Sequence, residues 1–302
     1  MTGATGLLGA IAVLDHRDDF EVLALSRRTP VSVPGVQSLL VDLTSDELAA
    51  EWEQLRPDLV LHTAALATIE DCERDPDLAH LLNVEAPRRI ATLCAATGAH
   101  MVHVSTDAVF DGTAGPYRED DVPNPLSVYA RTKLAGEEAC LEAHPDALVA
   151  RVNFFGWSRS GSRSLAEFFL SRLRAGEEVP GFTDVEFASL YNRDLARLLV
   201  QAGLRGLSGV HHVVSADRMS KHDFGKAVAR TFGLDEGLVV PARMADRVGA
   251  PPRSPRLSLD PSRFAEAMGA AMPTFAEGLG RMRQDDGAYV SVLRGLEEGQ
   301  HG

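Results

Sequence analysis

Residues 2–9 read TGATGLLG, a T-G-x-x-G-x-x-G pattern with glycine at positions 3, 6 and 9. Glycine at these positions permits a tight turn, lets the backbone approach a pyrophosphate and allows a following helix to pack close to a sheet. The N-terminus of that helix offers N–H groups and a positive dipole to phosphates. The pattern predicts a dinucleotide-binding turn, in which the contacting residues are Gly3, Thr5, Gly6, Leu7 and Leu8.

Outward from this turn, short runs rich in β-branched residues alternate with longer amphipathic stretches. The runs at 21–25, 58–62, 100–104 and 147–152 predict strands, and residues 77–96 and 129–143 predict helices between them. Alternation at this spacing is typical of parallel strands joined by crossover helices. We therefore expect an α/β fold with a doubly wound parallel sheet.

The alternation weakens after about residue 155, which predicts a second, smaller lobe. Helices are expected at 164–175, 192–203 and 220–231, a turn-rich stretch at 179–187, a loop at the PPRSP run of 251–255 and fraying over the last dozen residues. We expect residues 1–155 to form the dinucleotide-binding and catalytic domain. Residues 156–302 are expected to form a mixed substrate-binding lobe with elements that return to the main domain.

The glycine turn of a doubly wound fold follows a central strand, yet only Met1 precedes the pattern. Without that strand its neighbours would carry unpaired backbone groups inside the sheet. We therefore expect the first strand to be missing from the N-terminus, and we hypothesise a misassigned start in which Met1 replaces a GTG valine codon. The excess of arginine over lysine, 27 to 3, is typical of the GC-rich genomes in which such starts are common.

Composition excludes several classes of protein. An apolar fraction of 45% in 302 residues allows a sizeable core, and a formal charge of −13 argues against nonspecific binding to nucleic acid or to an anionic membrane. The three cysteines, Cys72, Cys94 and Cys140, lack both C-x-x-C and metal-ligand spacing, which favours a reducing compartment. No apolar run approaches the roughly 20 residues of a membrane span. We expect a cytoplasmic protein without a metal site.

The second predicted strand ends in Ser26, Arg27 and Arg28. An acidic residue there would hydrogen-bond the ribose of NAD, whereas arginines accommodate the 2′-phosphate of NADP. The sequence therefore predicts NADP(H) as the preferred cofactor, with NAD(H) possible.

A Y-x-x-x-K pair, Tyr129 and Lys133, lies on the predicted helix 129–143. A spacing of four residues puts both side chains on one helix face, where an ammonium favours the phenolate form of tyrosine. Thr106 and Asp107 follow the strand 100–104, at the carboxyl end where α/β sheets bind ligands. A hydroxyl there can polarise a substrate carbonyl. We predict Thr106, Tyr129 and Lys133 as the catalytic residues.

These motifs resemble those of dTDP-4-dehydrorhamnose reductases, which are extended short-chain dehydrogenases/reductases. The run VSTDAVFDG at 104–112 is similar to their S-T-D-Y-V-F-D-G signature, and YARTKLAGEE at 129–138 is similar to their catalytic helix. The run at 115–126, His62-Thr63-Ala64-Ala65 and Asn83-Val84 also match, and the resemblance is dense from residue 2 to about 157.

The resemblance implies an NAD(P)H-dependent reductase of a 4-keto-6-deoxy nucleotide-sugar. Tyr129 would donate the proton, Lys133 would lower its pKa and bind the nicotinamide ribose, and Thr106 would orient the keto oxygen. The resemblance also implies further cofactor contacts from Asp42 and Leu43 at the adenine and from Thr63, Ala64 and Ala65 on the nicotinamide side.

Two departures leave the sugar open. Ala108 replaces the signature tyrosine, and residues 152–157 read VNFFGW where the family has a Thr-Ser-Trp-like run. We predict substrate contacts from these residues: Asp107, Asn153, Phe154 and Trp157.

Three alternatives share the fold. A 4,6-dehydratase is disfavoured because its extra acid/base step goes with a Thr-Asp-Glu run, whereas Ala108 follows Thr106 and Asp107 here. An epimerase with retained NAD uses the same Tyr–Lys pair. The regulatory β subunit of methionine adenosyltransferase resembles this family without acting as an enzyme, and the intact set of catalytic residues argues against that role. Reductases of this kind often dimerise, so a homodimer is a possible assembly.

Overall fold

The computed structural model of the chain describes residues 1–45, 47–246 and 255–296. Its strands, in chain order, are β1 (Leu23–Ser26), β2 (Gln37–Leu40), β3 (Leu59–His62), β4 (His100–Thr106), β5 (Leu148–Val152), β6 (Phe154–Phe155), β7 (Val179–Phe182), β8 (Glu186–Phe187), β9 (Leu190–Tyr191), β10 (Gly209–Val213), β11 (Met219–Ser220), β12 (Val239–Ala242) and β13 (Arg256–Leu257).

The α-helices are α1 (Gly9–His16), α2 (Leu48–Leu55), α3 (Ile69–Arg74), α4 (Pro76–His80), α5 (Ala86–Thr97), α6 (Val128–Ala143), α7 (Leu165–Arg174), α8 (Asn192–Leu204), α9 (Lys221–Phe232), α10 (Ser262–Met268), α11 (Phe275–Gln284) and α12 (Ala288–Gly295). A π-helical turn, Leu81–Glu85, joins α4 to α5, and 3₁₀ turns occupy Asp107–Val109, Glu236–Leu238 and Met244–Asp246.

The main sheet is parallel, and it confirms the predicted doubly wound α/β architecture. Four strands pair in the order β10-β5-β4-β3, and β1 pairs with β2. In the described part of the chain, Met1 and Thr2 lie between β3 and β1: the Thr2 N–H donates to the Leu61 carbonyl over 3.1 Å, and the Leu25 N–H donates to the Met1 carbonyl over 2.8 Å. These two residues occupy the position expected for the first strand.

The four strands predicted in the first half are confirmed, each with bounds shifted by two residues or fewer. The predicted helix over 77–96 is the continuous run of α4, the π turn and α5, and 129–143 corresponds to α6. In the second half, α7, α8 and α9 match the three predicted helices, and the Ser220 hydroxyl accepts the Asp223 N–H as the cap of α9.

Two predictions for the second half are wrong. The stretch 179–187, expected to consist of turns, contains β7 and β8, because each finds a partner far along the chain: β7 pairs with β12, and β8 pairs with β11 and β13. Residues 291–295, expected to fray, belong to α12. The predicted loop at 251–255 falls outside the described residues except for Pro255, as do residues 297–302.

Two elements from the second half of the chain pack with the main sheet layer. Strand β10 extends the sheet beside β5, and α8 packs on α1 directly behind the glycine turn. The lobe is centred on α9, whose Phe224 packs edge-on against Phe155, Phe187 and Phe275. This arrangement positions the lobe over the carboxyl ends of β4 and β5.

Candidate active site

The glycine turn packs against the end of β3 so closely that side chains are excluded. Gly3 has φ +66°, and a Cβ on it would lie 2.7 Å from the Ala64 nitrogen, while a Cβ on Gly9 would overlap the Gly3 carbonyl. The Thr63 hydroxyl donates to the Thr2 carbonyl over 2.8 Å and fixes the loop after β3 to the turn. The turn is therefore the bare backbone surface that a dinucleotide requires.

A cavity of about 780 Å³ lies beside this turn. Thr5, Gly6 and Leu7 line it together with residues 29–32 that follow β1. The Leu8 side chain, in contrast, is buried in the core, so Leu8 can reach a ligand only through its backbone. A volume of this size is in the range of cofactor sites in proteins.

The predicted adenosine-side residues lie after β1 and β2. The Ser26 hydroxyl donates to the Thr29 carbonyl over 2.6 Å, and Arg27 and Arg28 are exposed. The Asp42 carboxylate accepts the Thr44 hydroxyl and N–H, and these hydrogen bonds lower its pKa. Asp42 thus closes a turn here, while Leu43 packs on the core.

The structure brings the predicted catalytic residues together. Thr106 ends β4, and α6, whose N-terminus is capped by the Ser127 hydroxyl, carries Tyr129 and Lys133 against that strand. The Thr106 side chain is close enough to the Tyr129 phenol to lower its pKa. The Thr106 hydroxyl also lies 3.2 Å from Asp107 Oδ1. A hydroxyl and a phenol therefore meet at the carboxyl end of the central strand.

The pKa of Tyr129 shifts in the direction opposite to the one expected. Burial raises the pKa of Tyr129 to about 12, and the hydrogen bond from Thr106 only partly opposes this effect. Lys133 is not among the groups that shift the Tyr129 pKa; its amine donates to the Val104 carbonyl over 2.8 Å and lies 3.5 Å from His103 Nε2. Burial lowers the pKa of Lys133 to about 8, and the carboxylate of Glu137 opposes that shift.

The π turn positions Asn83 beneath the loop that follows β3. Its side-chain oxygen accepts the Leu66 N–H over 2.8 Å, and its amide donates to the Thr132 hydroxyl over 3.1 Å. A Cβ on Gly136 would overlap the Asn83 carbonyl, which explains the glycine on the facing turn of α6. π turns inside helices frequently mark functional sites. Asn83 therefore holds residues 63–66 against the catalytic helix.

A second cavity, of about 240 Å³, lies between β4, β5 and the lobe. Three of the four predicted substrate residues line it: Asp107, Asn153 and Phe154. The Asn153 amide donates to Asp107 Oδ2 over 2.6 Å, so the two polar groups form one unit at the wall of the cavity. The space left by Ala108, in place of a tyrosine, belongs to this cavity.

The fourth predicted substrate residue, Trp157, is a core residue, and that prediction is wrong. Trp157 is 1% exposed, donates its indole N–H to the Met282 carbonyl over 2.9 Å and packs edge-on against Phe232. Three residues after Phe154, the backbone has left the second cavity, and the Trp157 side chain packs against α11.

Sequence reasoning missed Lys221, the first residue of α9, which lines the second cavity together with Asp107. Its charge lowers the pKa of Asp107, although burial outweighs that effect. The cap at Ser220 and the scarcity of lysine were visible in the sequence. The contact with the cavity was not, because it depends on how the lobe packs.

Asp107 makes stability depend on pH. Burial raises its pKa to about 6 in the folded chain from 3.8. Because Asp107 holds its proton more tightly in the folded chain, the protonated carboxyl stabilises the fold. That stabilisation is present at low pH and is lost as the pH rises through about 6. We expect the free energy of unfolding, relative to Asp107→Asn, to fall by about 2 to 3 kcal/mol between pH 4 and pH 7. Urea unfolding of both proteins measures it; a difference that is constant with pH would contradict the assignment.

Among the described residues, no group of three or more His, Cys, Asp or Glu side chains is arranged to hold a metal ion. In the same residues, no helix combines the length and the apolar character needed to cross a membrane.

The chain is similar over most of its length to one protein family and to several of its known proteins. The family model described as RmlD substrate binding domain matches residues 1–287. The probable low-salt glycan biosynthesis reductase Agl14 of Haloferax volcanii is 33% identical over 96% of this chain and 99% of its own. The dTDP-4-dehydrorhamnose reductase of Mycobacterium tuberculosis is 34% identical over 88% of this chain and 86% of its own. Methionine adenosyltransferase 2 subunit beta of Xenopus laevis is 31% identical over 91% of this chain and 83% of its own.

Proposed function

The chain belongs to the RmlD substrate binding domain family, and from that premise we propose that it reduces the C4 keto group of a 4-keto-6-deoxy nucleotide-sugar with NADPH. Family membership and the reductase relatives support an NAD(P)-dependent oxidoreductase that acts on a nucleotide-sugar. Reduction at C4 is supported by the proximity of Thr106 and Tyr129 next to a cavity lined by Asp107 and Asn153.

The residues present fit a nicotinamide dinucleotide. Gly3 and Gly9 let the turn pack directly on the loop after β3, and the cavity beside the turn is large enough for a dinucleotide portion. The backbone of residues 3–8 would hold the diphosphate, and Arg27 and Arg28 would take a 2′-phosphate. Residues 63–65 and Lys133 would lie along the nicotinamide side. When bound, the reduced cofactor supplies a hydride for the keto carbon.

The protein's own groups supply binding and the proton. The Thr106 hydroxyl orients the keto oxygen, and Tyr129 donates its phenolic proton to that oxygen as it becomes an alkoxide. A pKa of about 12 keeps the phenol protonated at neutral pH, which is the state that a donor in the reductive direction needs.

The second cavity, lined by Asp107, Asn153 and Phe154 and called the sugar-side cavity from here on, would bind the sugar ring. Asp107 and Asn153 offer a carboxylate and an amide to sugar hydroxyls, and the Phe154 ring covers an apolar part of the wall. Lys221 adds a cation to the lining of the cavity. Four groups of different chemistry around about 240 Å³ suit a single polar ring with an apolar edge such as a 6-deoxy methyl group.

A coupled assay tests the proposal. NADPH oxidation is followed at a fixed enzyme concentration with dTDP-, UDP- and GDP-4-keto-6-deoxyhexoses, and the reduced product is identified by its mass. We expect turnover with at least one nucleotide and slower turnover with NADH. Absence of NADPH oxidation with every ketosugar, in protein that binds the cofactor, would contradict the proposal.

Lys221 is expected to affect substrate binding alone. Lys221→Gln removes a charged partner of the nucleotide-sugar, a loss of about 1.5 to 3 kcal/mol, so KM for the sugar should rise about tenfold or more. The Kd of NADPH, from fluorescence titration, should not change. Lys226→Gln, on the same helix, is the matched control. An unchanged KM would exclude Lys221 from the site.

A non-catalytic role is the second candidate, because the β subunit of methionine adenosyltransferase 2 is nearly as similar to this chain as the reductases are. A stable protein partner, with no ketosugar turned over, would favour it. An epimerase would instead carry tightly bound NAD through purification. The contact of Thr106 with Tyr129 in this chain favours the reductase over the regulatory role.

A further inference from the structure

The wall of the cofactor cavity that faces the glycine turn comes from the second half of the chain. A loop between β6 and α7 supplies Ser158, Arg159, Ser160 and Arg163 to it. The chain as a whole carries a net charge of −13, whereas Arg159 and Arg163 put positive charge at the cavity beside the glycine turn. No motif in the sequence marked this loop.

One buried carboxylate holds the loop in shape. Glu167 is 2% exposed and accepts the Ser158 N–H over 2.8 Å, the Ser158 hydroxyl over 2.6 Å and the Arg163 N–H over 3.0 Å. Because these hydrogen bonds connect Glu167 to both ends of the segment 158–163, the backbone of Arg163 is held in place without a ligand. Preorganisation of this kind reduces the entropy cost of binding.

The loop is also tied to the glycine turn itself. The Asn192 amide donates to the Trp157 carbonyl over 2.9 Å and lies 3.4 Å from the Leu7 carbonyl. A Cβ on Gly156 would overlap the Asn192 side chain, so the chain approaches this bridge closely. The width of the cavity between turn and loop is therefore set by the fold.

We propose that Arg163, with Arg159 beside it, binds a phosphate group of the nicotinamide dinucleotide from the side opposite the glycine turn. The N–H groups of the turn and the guanidinium of Arg163 then grip the anion from two sides. Arg159 is mostly buried and donates to the Leu296 carbonyl over 3.2 Å, which holds its charge at the base of the loop. The inference rests on the proposed function for the identity of the ligand.

The test is the affinity of Arg163→Gln for NADPH and for NADH, measured by fluorescence titration. A charge-assisted hydrogen bond to phosphate contributes about 1.5 to 3 kcal/mol, so we expect Kd to rise about tenfold or more. Arg163→Lys should recover part of the affinity, and the difference between wild type and variant should shrink at high salt. Weakening of both cofactors identifies the diphosphate, and weakening of NADPH alone identifies the 2′-phosphate; either supports the proposal.

Arg172→Gln is the matched control, because Arg172 lies on α7, pairs with Glu177 on the surface and lines neither cavity. Its Kd values should equal those of the wild type. If Arg163→Gln binds both cofactors with wild-type affinity, this inference is overturned and the proposed function still stands. A wild-type protein that binds neither cofactor would overturn the proposed function and the inference with it.

Discussion

Tyr129→Phe is expected to reduce kcat for ketosugar reduction by at least about 100-fold, the usual scale for a missing general acid. The ring remains, so packing against β4 persists, but the Thr106 hydroxyl loses its partner and the keto oxygen loses its proton source. The Kd of NADPH should stay within about twofold of the wild type, since the phenol serves the transition state more than cofactor binding. Single-turnover NADPH oxidation measures the chemical step directly.

Tyr289→Phe is the matched control for this loss. It removes a phenolic oxygen from α12, where Tyr289 lines neither cavity, and should leave kcat unchanged. If Tyr129→Phe turns over at the wild-type rate, Tyr129 is not the proton donor. A loss that appears only in the Kd of NADPH would instead indicate that Tyr129 serves cofactor binding.

Arg151→Leu is expected to lower the free energy of unfolding by about 3 to 5 kcal/mol, the range for breaking a buried ion pair from one side. Arg151 and Glu137 are 5% and 3% exposed in their side chains, with Arg151 Nη2 2.8 Å from Glu137 Oε2. Removing the guanidinium leaves a buried carboxylate with the Ser105 hydroxyl as its remaining close partner in the described structure. Urea unfolding at pH 7 measures the loss.

The double variant Arg151→Leu/Glu137→Leu should be less destabilised than Arg151→Leu, because it leaves neither member of the ion pair buried without the other. Arg172→Leu, which breaks the exposed pair with Glu177, should cost at most about 1 kcal/mol. A cost for Arg151→Leu as small as that of the surface variant would show that the pair does not stabilise the fold.

Sequence patterns were sufficient wherever one segment carries the whole signal. The glycine turn, the Y-x-x-x-K pair and Thr106 at a strand end each depend on backbone conformation within a few residues, and the doubly wound sheet follows from the alternation of strands and helices. Short strands were harder. Strand β7 was missed because its hydrogen bonds go to β12, about 60 residues away, and its own composition resembles a turn.

Side-chain roles in the second half required the packed structure. Phe154 and Trp157 are three residues apart and equally aromatic, yet Phe154 lines the sugar-side cavity and Trp157 is in the core. Lys221 and Arg163 reach their cavities only because α9 and the loop before α7 pack over the sheet. No local pattern distinguishes such residues from surface cations.

The amino-acid sequence by itself therefore determined the architecture, the glycine turn and the placement of Thr106 and Tyr129 at the end of β4, since these depend on local periodicity, glycine and spacing along one helix. Only the tertiary structure decided which residues form the two cavities and in which direction the pKa values of Tyr129, Lys133 and Asp107 shift. Burial causes those shifts, and burial depends on every segment packed around a group, including segments more than 100 residues away in the chain.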